Sequence, residues 1–160
     1  MIALEGPIRR LGGECRTSGG LAPVEVRGPL AGGRSVMDGS LGSQFLTGFM
    51  MALPLAGGDS ELTVTGLRSR PYADMTVSLL REFGVVVEHD EDYGSVRIPG
   101  NQTYRSTVFE VEGDWSGAAF LLVAGAMRGR VTVTGLRPDS GQADRRVLEA
   151  IEQAGADVAW

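Results

Sequence analysis

Short apolar stretches, most of them alternating with polar residues, recur along the chain and predict β-strands. Alternation places every second side chain on the same face of a sheet. Several of these stretches end at glycine or proline, as is typical of the turns between strands. The predicted strands lie at residues 24–27, 61–65, 85–88, 95–98, 108–112, 130–134 and 157–160.

Apolar residues spaced three or four positions apart predict helices between these strands. The clearest helix is predicted at 71–83, where Met75, Leu79, Leu80 and Phe83 share one face and Gly84 follows as a cap. An apolar run predicts a buried helix that begins at Ser43. The further predicted helices end near residue 12 or lie at about 43–55, 117–127 and 147–155.

The second part of the chain repeats the first at an offset of about 70 residues. Thr-Gly-Leu-Arg occurs at 65–68 and at 134–137, each time between a predicted strand and a predicted helix that ends in glycine. One such unit does not bury its apolar faces alone, so several units must share a core. The predicted fold class is therefore α/β, with repeated βαβαββ-type units, and we expect the chain to be a piece of something larger.

Composition narrows the function. The chain is 42% apolar and 22% charged, and its net charge of −5 argues against nucleic-acid binding because no Lys/Arg stripe is present. Cys15 and His89 are each the only residue of their type, which disfavours a His/Cys metal site and fits a reducing cytoplasm. We expect no metal and no cofactor. The longest apolar run, at 45–56, is too short to span a bilayer, so we expect no membrane partner.

The segment 38–47, Asp-Gly-Ser-Leu-Gly-Ser-Gln-Phe-Leu-Thr, is the candidate ligand site. Small and hydroxyl residues lead into an apolar helix, whose first N–H groups lie beside the Ser43 hydroxyl and the Gln44 amide. Such a helix start favours a phosphate or a hydroxyl-rich ligand. The alternative interpretation is that Ser43 merely caps the helix.

Three blocks resemble the enolpyruvyl transferases, and among them the members that act on shikimate 3-phosphate. The blocks are residues 38–47, residues 67–76 (Leu-Arg-Ser-Arg-Pro-Tyr-Ala-Asp-Met-Thr) and residues 111–120 (Val-Glu-Gly-Asp-Trp-Ser-Gly-Ala-Ala-Phe). Their order and spacing match the family over about residues 10–160. Relatives that act on UDP-N-acetylglucosamine share the repeat but lack the first two blocks.

The resemblance implies an inside-out α/β fold of two lobes, with residues 1–112 in the later part of one lobe and 113–160 at the start of the second. It implies transfer of enolpyruvyl from phosphoenolpyruvate to the 5-hydroxyl of shikimate 3-phosphate, in the biosynthesis of chorismate and aromatic amino acids. By the same resemblance, Ser43, Gln44, Ser69 and Tyr72 bind shikimate 3-phosphate, and Gln44 also lies near phosphoenolpyruvate.

Two departures from the family pattern qualify this expectation. Gly42 stands where the family usually has a second serine, so one hydroxyl contact to the phosphate is missing. The family's acid–base aspartate and its cationic blocks have no counterpart here, so we assign no catalytic residue and expect the chain alone to be inactive.

Two other functions remain open. The chain could instead be part of a transferase that acts on UDP-N-acetylglucosamine, or a non-catalytic scaffold fragment. In either case the exposed cleft face is a candidate surface for self-association.

Overall fold

In a computed structural model, which describes residues 1–160, the chain forms two compact units. The first unit is Met1–Thr107 and the second is Val108–Trp160. This boundary lies a few residues before the predicted division at 112/113. The assignment of the two units to two lobes stays a prediction.

The first unit contains three α-helices and six strands. The helices are α1 (Glu5–Arg10), α2 (Gln44–Ala52) and α3 (Arg70–Glu82), and short 3-10 turns precede and follow α2. The strands are β1 (Glu14–Ser18), β2 (Leu21–Arg27), β3 (Gly33–Asp38), β4 (Ser60–Thr65), β5 (Glu88–His89) and β6 (Ser95–Ile98).

The strands form two sheets. β1 and β2 make an antiparallel hairpin, and the other four strands form a sheet in the order β3-β4-β6-β5. β3 and β4 are parallel, with Gly33 opposite Ser60 and Asp38 opposite Thr65, while β6 runs antiparallel to both of its neighbours. Because parallel strands need a crossover connection, α2 lies between β3 and β4 in the chain.

Alternation along β4 separates the two faces of this sheet. Ser60, Leu62 and Val64 are buried, whereas the residues between them are exposed. The buried face packs against the helices in one apolar core. Its fully buried members include Leu11, Leu46, Met50, Leu53, Leu62, Tyr93, Val96 and Ile98.

The buried stripe of α3 differs from the predicted one. The structure buries Ala73, Thr76, Val77 and Leu80, so Leu80 alone of the four predicted positions is fully buried. Met75, Leu79 and Phe83 are half-buried. These buried side chains face the core of the unit, where α3 packs against α2.

The second unit contains α4 (Trp115–Arg128) and α5 (Val147–Gln153). The Asp114 carboxylate caps α4 by accepting hydrogen bonds from the N–H groups of Ser116 and Gly117, each at 3.0 Å. Trp115 is fully buried, its backbone N–H donates to Gln142 Oε1 at 2.8 Å, and its ring contacts Trp160 edge-on.

Several strand predictions were wrong. No strand forms at 108–112, 130–134 or 157–160, because apolar alternation produces a strand only where a partner accepts its backbone hydrogen bonds. Of the strand predicted at 85–88, only residue 88 lies in a strand, β5. The N–H and C=O groups of Val86 pair instead with the Gln102 side chain. The structure also contains two strands that the pattern did not predict, β1 and β3.

The core makes a testable prediction about Leu62, which is fully buried in β4. Leu62→Ala leaves a cavity, and we expect it to lower the free energy of unfolding by about 2–5 kcal/mol in urea denaturation followed by circular dichroism. Leu55→Ala is the control, since Leu55 is 63% exposed, and we expect a loss below about 1 kcal/mol. Equal losses in the two variants would contradict the assigned core.

Candidate functional site

The parallel pair β3 and β4 brings two helix N-termini to the same edge of the sheet, namely the one formed by the carboxyl ends of these strands. Each strand ends at this edge, where Asp38 lies opposite Thr65, and each continues through a short loop into α2 or α3. The loops touch, because a Cβ added to Gly39 would lie 2.9 Å from Leu67 Cα. The crevice beyond the carboxyl ends of parallel strands is where α/β proteins commonly bind ligands.

The first predicted pair of site residues lies at the start of α2. Ser43 occupies the N-cap position and is buried, and its backbone oxygen accepts a hydrogen bond from the Thr47 N–H at 2.9 Å. Its side chain makes no capping hydrogen bond, so Ser43 occupies the N-cap position without capping α2 through its hydroxyl. A helix leaves its first N–H groups without intrahelical partners, so those of α2 remain suited to a ligand.

Gly42 and Gln44 are mutually adapted. Gly42 has a φ of 120°, a backbone conformation that residues other than glycine rarely adopt. A Cβ at this position would overlap the Oε1 atom of Gln44, which folds back over the glycine. A serine at position 42 would therefore displace the Gln44 amide from its observed position.

The second predicted pair lies at the start of α3. Ser69 occupies the N-cap position, also without a side-chain capping hydrogen bond, and its backbone oxygen accepts from the Tyr72 N–H at 3.2 Å. Because Pro71 has no N–H, the first turn of α3 offers fewer backbone donors than that of α2. Ser69 and Tyr72 are both half-buried.

Both charge signs are present at this edge. Hydrogen bonds from Ser40 lower the pKa of the Asp38 carboxyl, and the nearby Arg68 charge lowers it further. Arg70 lies 3.8 Å from Asp74 and 3.8 Å from Asp92. Arg70 is therefore shared between two carboxylates, whereas the exposed Arg68 forms no ion pair.

Sequence reasoning missed Tyr93, which lies in the loop between β5 and β6. Its hydroxyl donates to Asp74 Oδ1 at 2.7 Å, and its ring stacks on His89 with centroids 4.1 Å apart. Burial raises the pKa of Tyr93, and the hydrogen bond to Asp74 raises it further. Asp74 lies in the second turn of α3, where it is paired with this hydroxyl.

No group of three or more His, Cys, Asp or Glu side chains is arranged to hold a metal ion. None of the helices has the length and apolarity that crossing a membrane requires.

Fold and candidate site together define an α/β protein in which two helices begin at the carboxyl ends of a parallel strand pair. The profile of the EPSP synthase family (3-phosphoshikimate 1-carboxyvinyltransferase) matches residues 1–160, so the chain belongs to this family. The resemblance inferred from the three sequence blocks is thereby confirmed.

Named relatives agree with this assignment. The 3-phosphoshikimate 1-carboxyvinyltransferase of Tolumonas auensis is 48% identical over 144 residues, which cover 88% of this chain and 34% of the relative. That of Methanoculleus marisnigri is 42% identical and covers 98% of this chain and 38% of the relative. The chain thus spans somewhat over a third of the length of these relatives.

Solved structures confirm the α/β fold class. An EPSP synthase from Acinetobacter baumannii superposes with a TM-score of 0.66 at 27% identity, covering 94% of this chain and 33% of that one. The fold is therefore similar to part of a larger EPSP synthase structure.

The geometry of Gly42 predicts the effect of restoring a serine. Gly42→Ser forces a non-glycine residue to a positive φ and displaces the Gln44 amide, so we expect a loss of about 1–3 kcal/mol in urea denaturation. Gly48→Ser is the matched control, because Gly48 lies in α2 with no atom near its Cβ position. We expect this control to be neutral or slightly stabilising. A fully stable Gly42→Ser protein would refute the strain argument.

Proposed function

We propose that this chain carries part of the shikimate 3-phosphate site of a 3-phosphoshikimate 1-carboxyvinyltransferase. The observation that carries the proposal is the meeting of two helix starts at one sheet edge, in a chain of this family. Neither helix start has a side-chain cap, and together they present Ser43, Gln44, Ser69 and Tyr72.

Each residue has a chemical role in this proposal. The N–H groups at the start of α2 and the hydroxyls of Ser43 and Ser69 bind the phosphate, where the helix dipole favours negative charge. The half-buried Tyr72 ring flanks the carbocycle. The exposed Gln44 amide reaches both shikimate 3-phosphate and phosphoenolpyruvate.

The proposed whole-protein reaction transfers the enolpyruvyl group of phosphoenolpyruvate to the 5-hydroxyl of shikimate 3-phosphate by addition and elimination. Two phosphorylated substrates call for uncompensated cations, and proton transfer calls for an acid–base group within hydrogen-bond reach. At this edge Arg70 is shared by two carboxylates, Asp74 and Asp92, each at 3.8 Å. The chain therefore supplies binding contacts, and we assign it no catalytic residue.

A second copy of the chain is a further proposed partner. The second unit exposes large apolar side chains. In α4, the Phe120 side chain is 80% exposed and that of Met127 is 74% exposed. Apolar surface of this kind favours self-association.

Binding is tested by titrating the chain with shikimate 3-phosphate while following its backbone amides by NMR. We expect the signals of Ser43, Gln44, Ser69 and Tyr72 to move together, with weak affinity because Arg70 is already shared by two carboxylates. Shikimate without the phosphate should bind more weakly, and UDP-N-acetylglucosamine should leave these signals in place. A stronger response to UDP-N-acetylglucosamine would favour the alternative transferase.

A pair of variants separates the site from nonspecific binding. Gln44→Ala removes an amide at the proposed site, whereas Gln153→Ala removes the same group at the end of α5, in the other unit. We expect only Gln44→Ala to weaken shikimate 3-phosphate binding. Equal affinities for the two variants would count against the proposed role of Gln44.

Turnover is a separate prediction. With shikimate 3-phosphate and phosphoenolpyruvate both present, we expect phosphate release no faster than in a protein-free blank, because the acid–base and cationic groups are missing from the site. Release above the blank, abolished in Gln44→Ala and retained in Gln153→Ala, would show that the chain is catalytic by itself.

A further inference from the structure

We propose that Tyr93 is a positioning residue for the ligand site, acting through Asp74 on the first turn of α3. This inference rests on the proposed function, because Ser69 and Tyr72 are the side chains that the first turn presents. It assigns a role in ligand binding to a hairpin loop that itself contributes no proposed ligand contact.

The start of α3 has little support of its own. Ser69 does not cap it with a side-chain hydrogen bond, and its first turn contains no acidic residue. Helix ends of this kind fray unless a group outside the helix holds them. The precise placement of Ser69 and Tyr72 therefore depends on contacts with the rest of the unit.

Asp74 provides such a contact. It lies one turn after Arg70, accepts the Tyr93 hydroxyl on Oδ1 at 2.7 Å, and has Oδ2 at 3.8 Å from the Arg70 Nε. A hydrogen bond to an ionised acceptor is stronger than one between neutral groups. Asp74 thus links a phenol hydroxyl directly to the helix and, more loosely, to the first helical residue.

Tyr93 is a rigid anchor for this link. Its side chain is fully buried, and its backbone N–H donates to the Asp90 oxygen at 3.2 Å. The next residue, Gly94, accepts from the Val64 N–H at 2.9 Å, which fixes the loop to β4. The Asp90 carboxylate also accepts from the Ser95 N–H, so the loop is held at both ends before it contacts α3.

The other link between this loop and α3 is weaker. Arg70 and Asp92 are separated by 3.8 Å, and the Asp92 side chain is 93% exposed. Exposed ion pairs contribute little because water screens them and two long side chains must be ordered. The Tyr93 hydroxyl is therefore the stronger of the two links between this loop and the start of α3.

Tyr93→Phe tests the proposal, because it removes only the hydroxyl and keeps the buried ring. The matched control is Tyr104→Phe, which removes a hydroxyl that donates to the Met51 oxygen at 2.6 Å, beside the end of α2. Both variants lose one hydrogen bond in the same unit, so thermal unfolding of the two proteins corrects for general destabilisation.

Two readouts are compared between the variants. In the ligand-free chain, we expect amide hydrogen exchange at residues 72–74 to accelerate in Tyr93→Phe and to remain unchanged in Tyr104→Phe. With shikimate 3-phosphate, we expect Kd to rise about three- to tenfold in Tyr93→Phe alone, roughly 0.7–1.4 kcal/mol.

Variants of Asp74 identify the path. Asp74→Asn keeps an acceptor for the Tyr93 hydroxyl, so its exchange at 72–74 should stay close to that of the unaltered chain. Asp74→Ala should accelerate exchange, and adding Tyr93→Phe to it should accelerate exchange no further, because both changes break the same bond.

The outcomes distinguish the inference from the proposed function. If the unaltered chain fails to bind shikimate 3-phosphate, the proposed function fails, and ligand-free exchange still decides whether Tyr93 holds the helix start. Equal exchange at 72–74 in Tyr93→Phe and Tyr104→Phe would overturn the inference. Faster exchange with an unchanged Kd would overturn it as well, since positioning would then have no effect on the site.

Discussion

The parallel pairing of β3 with β4 is the constraint on which the first unit depends. Parallel strands end at the same edge of a sheet, so the segments that follow them must leave from that edge. In this chain both segments turn at once into helices, and the turn residues of the two loops touch at Gly39 and Leu67. Two helix starts that are 26 residues apart in sequence, at Gln44 and Arg70, are thereby held side by side.

The charges at this edge bear on the proposed ligand site. Arg70 is shared by Asp74 and Asp92, each at 3.8 Å, whereas Arg68 forms no ion pair. We propose that the hydrogen-bond donors of the two helix starts, which have fixed geometry, orient the ligand, while ion pairing limits what Arg70 adds to affinity.

By the proposal made for Tyr93, the candidate site depends on a loop that contributes no ligand contact. Helix α3 carries proposed ligand contacts at its least supported end, and a buried phenol in a neighbouring hairpin supplies the missing support through Asp74. The same hairpin is fixed to β4 by a backbone hydrogen bond at Val64. The sheet edge, the helix start and the loop are therefore one mechanically connected structure.

The sequence by itself determined the helices, the α/β class and the family. Helical hydrogen bonds are local, so an apolar spacing of three to four residues is enough to locate α2, α3, α4 and α5 to within a few positions. It also placed Ser43, Gln44, Ser69 and Tyr72 at helix starts. Only tertiary structure decided which strands form, because strand pairing joins distant segments. The unpredicted strand β3 forms although the buried Ser35 obscures its alternation, whereas the predicted strand at 130–134 has no partner. For the same reason the bond between Tyr93 and Asp74, 19 residues apart, was decided by packing and not by pattern.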